Sequence, residues 1–197
     1  MSLSSGFHPV PNGHLAAVVT YLEMTTPQLI ELPSLPNGIT VGRETMGLEA
    51  YRALFRRIGA PWLWSSRLAM DEAALAEILD HPQVETWIIR HDGDAIGLIE
   101  LDFREAKTCE LAFFGLAIEE TGQGLGHSMM ALAQTQAFSK PIDRLHLHTC
   151  TLDAPQALGF YQKAGFIAYK RQVEILPDPR LRGLLPSSRA GHIPCLT

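Results

Sequence analysis

Glycine takes every second position in Thr121-Gly122-Gln123-Gly124-Leu125-Gly126-His127-Ser128, between an apolar run with strand character and a helical pattern. A chain that passes from strand to helix through three glycines turns sharply and exposes consecutive backbone N–H groups. It also leaves the positive end of the helix open to an anion. Two phosphate loops fail to fit. A P-loop needs lysine after its last glycine, whereas Gly126 is followed by His127 and the next lysine is Lys140. The dinucleotide fingerprint would need glycine where His127 or Met129 stands, and it belongs in the first strand–helix turn of a sheet. A pyrophosphate cradled by backbone donors is the reading left, with an unliganded tight turn as its competitor.

The surrounding pattern says what sheet this loop serves. Leu15–Met24 reads as a first strand. A helix from Leu48 lines up Leu48, Tyr51, Phe55 and Ile58, and a second starts near Asp71 with Leu75, Ile78 and Leu79 inward. Two strands then meet at Asp92-Gly93-Asp94 as a hairpin, and Thr108–Ile118 continues as a third. Past the loop come a helix carrying Leu125, Met129, Leu132 and Ala133 on one face, and a short strand holding His146, His148 and Cys150. A helix follows, with Asp153 and Gln156 as a capping box and Gly165 at its end, and then a last strand from Phe166. The order β-α-α-β-β-β-α-β-α-β predicts an α/β (α+β) fold with a mixed, mostly antiparallel sheet and helices on both faces. One domain over residues 1–176 is expected, with an irregular connection at 25–46 and a proline-rich, irregular tail at 177–197.

Composition removes several classes of function. A net charge of −5 gives no pull toward nucleic acid or anionic membrane. The three cysteines form no CxxC pair, which argues against a disulfide framework or a zinc ribbon. No signal peptide or membrane span is legible, so a cytoplasmic protein is expected. His146 and His148 alternate on one strand face, but no further ligand is spaced to join them, so no metal is expected. Cys150 reads as a buried thiol rather than a nucleophile.

Thr121 to Gly126 together with Ala157-Leu158-Gly159-Phe160-Tyr161-Gln162-Lys163-Ala164-Gly165-Phe166 resembles the GNAT superfamily of N-acetyltransferases. The first segment is similar to that family's [QR]-x-x-G-x-[GA] loop, with Thr121 in place of the long polar residue. The second is similar to its A-x-x-x-Y-x-K-x-G-F signature, without the asparagine often found ahead of it. The resemblance implies acetyl-CoA as co-substrate and direct acetyl transfer to a primary amine of a small molecule, peptide or protein. A homodimer is compatible with it. It implies a pyrophosphate held by residues Thr121, Gly122, Gln123, Gly124, Leu125, Gly126, His127 and Ser128. The pantetheine arm would pair with the backbone of Leu116, Ala117 and Ile118, with Asp153 also near the coenzyme. Alternatives are a catalytically inactive acyl-CoA sensor and a nucleotide-binding module.

Such a transfer needs a neutral amine and a proton for the departing thiolate. An alkyl ammonium with pKa near ~10.4 calls for a base at neutral pH. Glu110 stands 11 residues before Thr121, where the resemblance implies a catalytic glutamate. If the Arg104–Thr108 turn is symmetric about Ala106, Asp102 lies opposite Glu110, and Glu100 lies diagonally on the same face as a second candidate. Clustered carboxylates would raise one another's pKa. Tyr161 is the acid candidate by the same resemblance, against a packing role suggested by its i, i+3 spacing from Leu158. Trp64 and Arg67, between the first two helices, are candidates for the acceptor pocket, Arg67 as a carboxylate binder.

Overall fold

The computed structural model describes residues 3–27 and 34–197. The chain runs β1 (His14–Met24), β2 (Ile39–Arg43), α1 (Leu48–Gly59), α2 (Ser66–Ala69) and α3 (Glu72–Leu79). It continues through β3 (Val84–His91), β4 (Asp94–Asp102), β5 (Thr108–Leu116), α4 (Leu125–Phe138), β6 (Arg144–Cys150), α5 (Ala157–Lys163) and β7 (Ile167–Pro177). All seven strands share one sheet in the order β2-β3-β4-β5-β6-β1-β7. Only β5 and β6 are parallel.

The mixed, mostly antiparallel sheet with helices on both faces is therefore observed. The first three helices cover one face, where Tyr51, Phe55, Ile58 and Leu75 meet Ile88 and Leu98. The last two cover the other, where Met129 and Phe166 meet Leu22, Ile99, Leu101 and Leu147. Strand β4 lies in the interior of the sheet under both layers. Its run Ile96 to Leu101 is buried without alternation, as a strand covered on both faces requires. Among the described residues no helix is long and apolar enough to cross a membrane.

Three local expectations need correction. The stretch expected to be irregular contains β2, which pairs Ile39–Arg43 with Trp87–His91 at the sheet edge. Five residues interrupted by Gly42 carry too little pattern to announce a strand; residues 28–33 of that connection lie outside the described residues. The single turn α2 also went unmarked. Asp153 caps no helix: α5 begins at Ala157, and Asp153 Oδ2 instead accepts from Thr149 Oγ1 (2.8 Å) and the Cys150 N–H (2.8 Å). Its short side chain closes the end of β6. Gly165 does stand past the end of α5 in the left-handed region, where its N–H donates to the Gln162 carbonyl.

Beyond Pro177 the tail forms no helix or strand but is anchored. Asp178 and Arg180 are buried together (Oδ2–Nη2 2.7 Å), and Arg180 Nη1 donates to the carbonyls of Arg189, Ala190 and Ile193. Leu185 sinks into the core beneath the first helical layer.

One feature of register shapes everything functional. Asp102 pairs with Glu110, as the symmetric turn requires, but Leu101 pairs with Leu111 and Glu100 with Phe113. Ala112 is the extra residue of a bulge, a device that sharpens strand twist. The parallel ladder between β5 and β6 spans only Thr108–Glu110 against Arg144–His146, and ends just before that bulge. Beyond it β5 bonds only to β4 and β6 only to β1, so the sheet opens as a wedge.

Candidate active site

The wedge is the floor of a cleft of about 880 Å³. Phe113 and Gly115 line it, and Gly115 faces Ile58 and Trp64 on the side of the first helical layer. Phe114 and Leu116, of opposite parity, also line it and pack with the second layer. The cleft therefore passes through the plane of the sheet. Ala117 N–H donates to the Ile96 carbonyl (2.8 Å), so alternation turns the N–H and C=O groups of Phe114 and Leu116 away from β4 and into the wedge.

At one mouth stands the glycine loop. Gly122 and Gly124 have φ of +85° and +81°, and a Cβ on either would meet open space. The loop is shaped by backbone need rather than by packing. Among the described residues, the N–H groups from Gly122 to Gly126 have no acceptor, while Gly124 caps the 14-residue α4. These orphan donors converge at a helix N-terminus, where an anion is favoured. Thr121 turns its hydroxyl back to the Ile118 carbonyl (2.7 Å), and Arg57 Nη2 pins the preceding turn through Glu119 (2.7 Å). Thr121, Gly122, Gly124, Gly126 and His127 line the cleft, as do Leu116 and Ile118. Ala117, Gln123, Leu125 and Ser128 do not.

Tyr161 lines the same cleft, its ring packed edge-on against Phe114, Phe160 and Phe166. Burial, with the Asp153 charge nearby, pushes its phenol pKa well up, so the hydroxyl keeps its proton at neutral pH.

At the other mouth are Trp62, Trp64, Ser65 and Ser66, with His148, Cys150 and Glu174 opposite. Trp64 Nε1 donates to Asp153 Oδ1 (2.9 Å), joining the loop after α1 to the end of β6. Asp153 lines the cleft with its oxygens engaged by protein, so it shapes the wall. Burial, then the Asp153 charge, pushes the Cys150 thiol up to about 11, which leaves it a poor nucleophile.

The carboxylates fall differently from expectation. Glu100 is fully buried, accepting from Tyr51 Oη (2.5 Å) and Arg67 Nη2 (2.5 Å), and it does not line the cleft. Each of its oxygens is engaged by a protein donor, away from the cleft. Arg67 gives its Nη2 to that carboxylate and lies over the Phe113 ring, and it lines neither pocket, so it is an internal partner of Glu100 and not part of the cleft wall. Glu110 is half-buried in a smaller pocket of about 360 Å³ with Asp102, Arg104 and His146. Its carboxyl lies 3.5 Å from His148 Nδ1. That contact holds the Glu110 pKa below the usual carboxylate range, against burial and the neighbouring Asp102 charge. The raised pKa expected from clustered carboxylates is therefore absent, because histidines and not acids dominate its surroundings. Reciprocally, Glu110 raises the His148 pKa, while burial lowers that of His146.

His148 is the residue that sequence reasoning passed over. Its alternation with His146 was visible, but its partner comes from β5 across a parallel register that no local pattern encodes. Phe114 and Phe160, which line the cleft beside the glycine loop, carry no such signal either.

A sheet split at its parallel pair, with a glycine-capped helix beside the split, defines a class of acyl-CoA-type transferase folds, and the sequence agrees. Residues 49–166 match the model of the acetyltransferase (GNAT) family, and the chain belongs to that family. Its fold is shared by a GCN5-related N-acetyltransferase from Kribbella flavida at 21% identity, with a TM-score of 0.54 over 87% of this chain and 63% of that one. It is shared by a protein of unknown function from Staphylococcus epidermidis at 15% identity, with a TM-score of 0.61 over 84% of this chain and 63% of the other. An aminoglycoside acetyltransferase from an uncultured soil metagenome, solved with trehalose, is similar at 15% identity and a TM-score of 0.57 over 70% of this chain and 94% of its own. The chain thus spans less than two thirds of the length of the first two structures. Comparison with curated proteins finds no match.

Proposed function

We propose that this chain is an N-acetyltransferase that moves the acetyl group of acetyl-CoA directly to a primary amine of a small molecule or peptide. The observation that carries this reading is the cleft through the sheet. A direct transfer needs two substrates to meet end to end, and each mouth of the cleft has the chemistry for one of them. The N–H groups of Gly122 to Gly126 would hold the pyrophosphate, and the free backbone of Phe114 and Leu116 would take the pantetheine arm as an added strand. The bound coenzyme supplies an activated acetyl thioester, and Tyr161 supplies the proton for the departing sulfur. Trp62, Trp64 and Phe113 give the acceptor mouth an apolar wall facing His148 and Glu174, which suits an amine carried on an apolar or ring-bearing body. Neither a basic surface nor nucleic acid enters this reading, and the cytoplasm, where acetyl-CoA is made and spent, is its natural site.

Two measurements test it. Acetyl-CoA should raise the melting temperature of the protein while NAD and ATP leave it unchanged; protection by NAD alone would sink the assignment. Release of free CoA should follow addition of amines from a panel that includes aminoglycosides and aryl-alkyl amines. Binding without release from any of them would instead make the chain an acyl-CoA sensor.

A further inference from the structure

We propose that His148, held by Glu110, is the group that takes the proton from the acceptor amine, and that Glu110 acts through it without touching substrate. This rests on the transferase reading above and names a catalytic residue within it. The geometry is the reason. Glu110 opens into the small polar pocket and not into the cleft, whereas His148 lines the cleft. The imidazole thus stands between the carboxylate and the place where substrates meet. Nδ1 is the ring nitrogen nearest Glu110, 3.5 Å from Oε1, a placement that favours the tautomer with its proton on Nδ1 and the lone pair on Nε2. The ring is half exposed and held from the side by Tyr21, whose centroid lies 5.7 Å away.

The charges around His148 agree with this role. Glu110 from β5 favours imidazolium most, burial opposes it, and Asp153 from the loop after β6 and Glu174 from β7 favour it; His146 on the same strand is disfavoured as a cation by His148. Tyr161 and Cys150, which share the cleft, keep their protons at neutral pH. Once deprotonated, the imidazole can take a proton from an arriving ammonium, with three carboxylates stabilising the charge that results.

The step balances. The ammonium yields one proton to His148 Nε2, and the amine lone pair attacks the acetyl carbonyl. The C–N bond forms as the C–S bond breaks. The sulfur takes the Tyr161 proton, and the second proton lost from nitrogen restores Tyr161. His148 then releases its proton to solvent, so each turnover liberates one amide, one CoA thiol and one proton.

The test has a readout that does not need turnover. In an NMR titration the His148 ring should show a pKa above the ordinary ~6.5 in the wild type and a lower one in Glu110→Gln. Equal values in both proteins would overturn the pairing. For activity, the kcat/KM profile should rise with pH through that same value. Glu110→Gln should keep the rising limb and move it to lower pH, because the imidazolium loses its anion. His148→Gln should lose roughly 10²-fold or more in kcat and lose that limb, with acetyl-CoA affinity retained. A glutamate acting directly gives the reverse: His148→Gln keeps most activity, and Glu110→Gln abolishes it. That outcome overturns the proposal and leaves the transferase standing. A wild type that binds acetyl-CoA and acetylates nothing overturns both.

Discussion

Tyr161 is one side chain with two parts, a packed ring and a hydroxyl to which the proposed reaction gives a proton to supply. Its ring belongs to the aromatic cluster with Phe114, Phe160 and Phe166, and the residue lines the cleft. Replacing it with phenylalanine keeps the packing and removes one proton. Tyr161→Phe should therefore lower kcat by roughly 10- to 100-fold while leaving acetyl-CoA affinity within about twofold, because general-acid assistance is lost and ground-state binding is not. Steady-state kinetics beside calorimetric titration with CoA would check this; a parallel fall in affinity would show that the hydroxyl binds rather than reacts. Single residues were unevenly legible. Tyr161 and Glu110 carried motif positions, so the sequence pointed to both. Glu100 and Arg67 were visible as charges, but their mutual burial with Tyr51 was not, since that triad joins α1, α2 and β4. Asp153 reads as a cap because a residue that accepts from the Thr149 hydroxyl and the Cys150 N–H just before it looks, in one dimension, like one that caps the helix just after.

The elements that position the site are the glycine loop and the two strands that part beside it. Gly124 needs its φ of +81° to start α4, and that geometry sets the directions of the loop N–H groups. Gly124→Val places a branched side chain in a region such residues avoid and across the anion path. Acetyl-CoA affinity should drop at least tenfold in a protein whose circular dichroism is unchanged; calorimetry showing equal affinity would remove the loop from the site. Helices with a marked apolar stripe, such as α1, and strands flanked by turn residues, such as β3 and β4, were legible because their periodicity is local. The short β2 and α2 were not, being no longer than the noise in such a pattern. The cleft itself had no signature. It arises from the bulge at Ala112 and the shortness of the parallel ladder, both properties of pairing between distant segments.

At the scale of the whole molecule, the tail is a structural clamp and not an appendage. Asp178→Asn leaves Arg180 buried without its counter-charge, which costs about 3 kcal/mol and should lower the melting temperature by about 10 °C in a chain of this size. The sign of its pH dependence follows from Arg180, which holds the Asp178 pKa below the ordinary ~3.9. That stability is complete above about pH 4 and fades as pH falls through the lower folded value, so wild type and variant should converge only in acid. Differential scanning calorimetry from pH 7 to pH 3 would show it; a gap that is constant with pH would rule out the ion pair as its source. The wedge has a mechanical consequence as well. With only three residue pairs bridging β5 and β6, the sheet consists of two slabs, β2-β3-β4-β5 and β6-β1-β7, seamed along a short join and backed by α4 and α5. A pantetheine arm lying against β5 would lengthen that seam like a splint. Saturating acetyl-CoA at 100 times its dissociation constant should then contribute about 2.7 kcal/mol, and amide exchange should slow along Phe114 to Leu116 and across the join at Glu110 and His146 together. The protein would stiffen as it loads, and the release of CoA would return to the sheet the looseness that admits the next molecule.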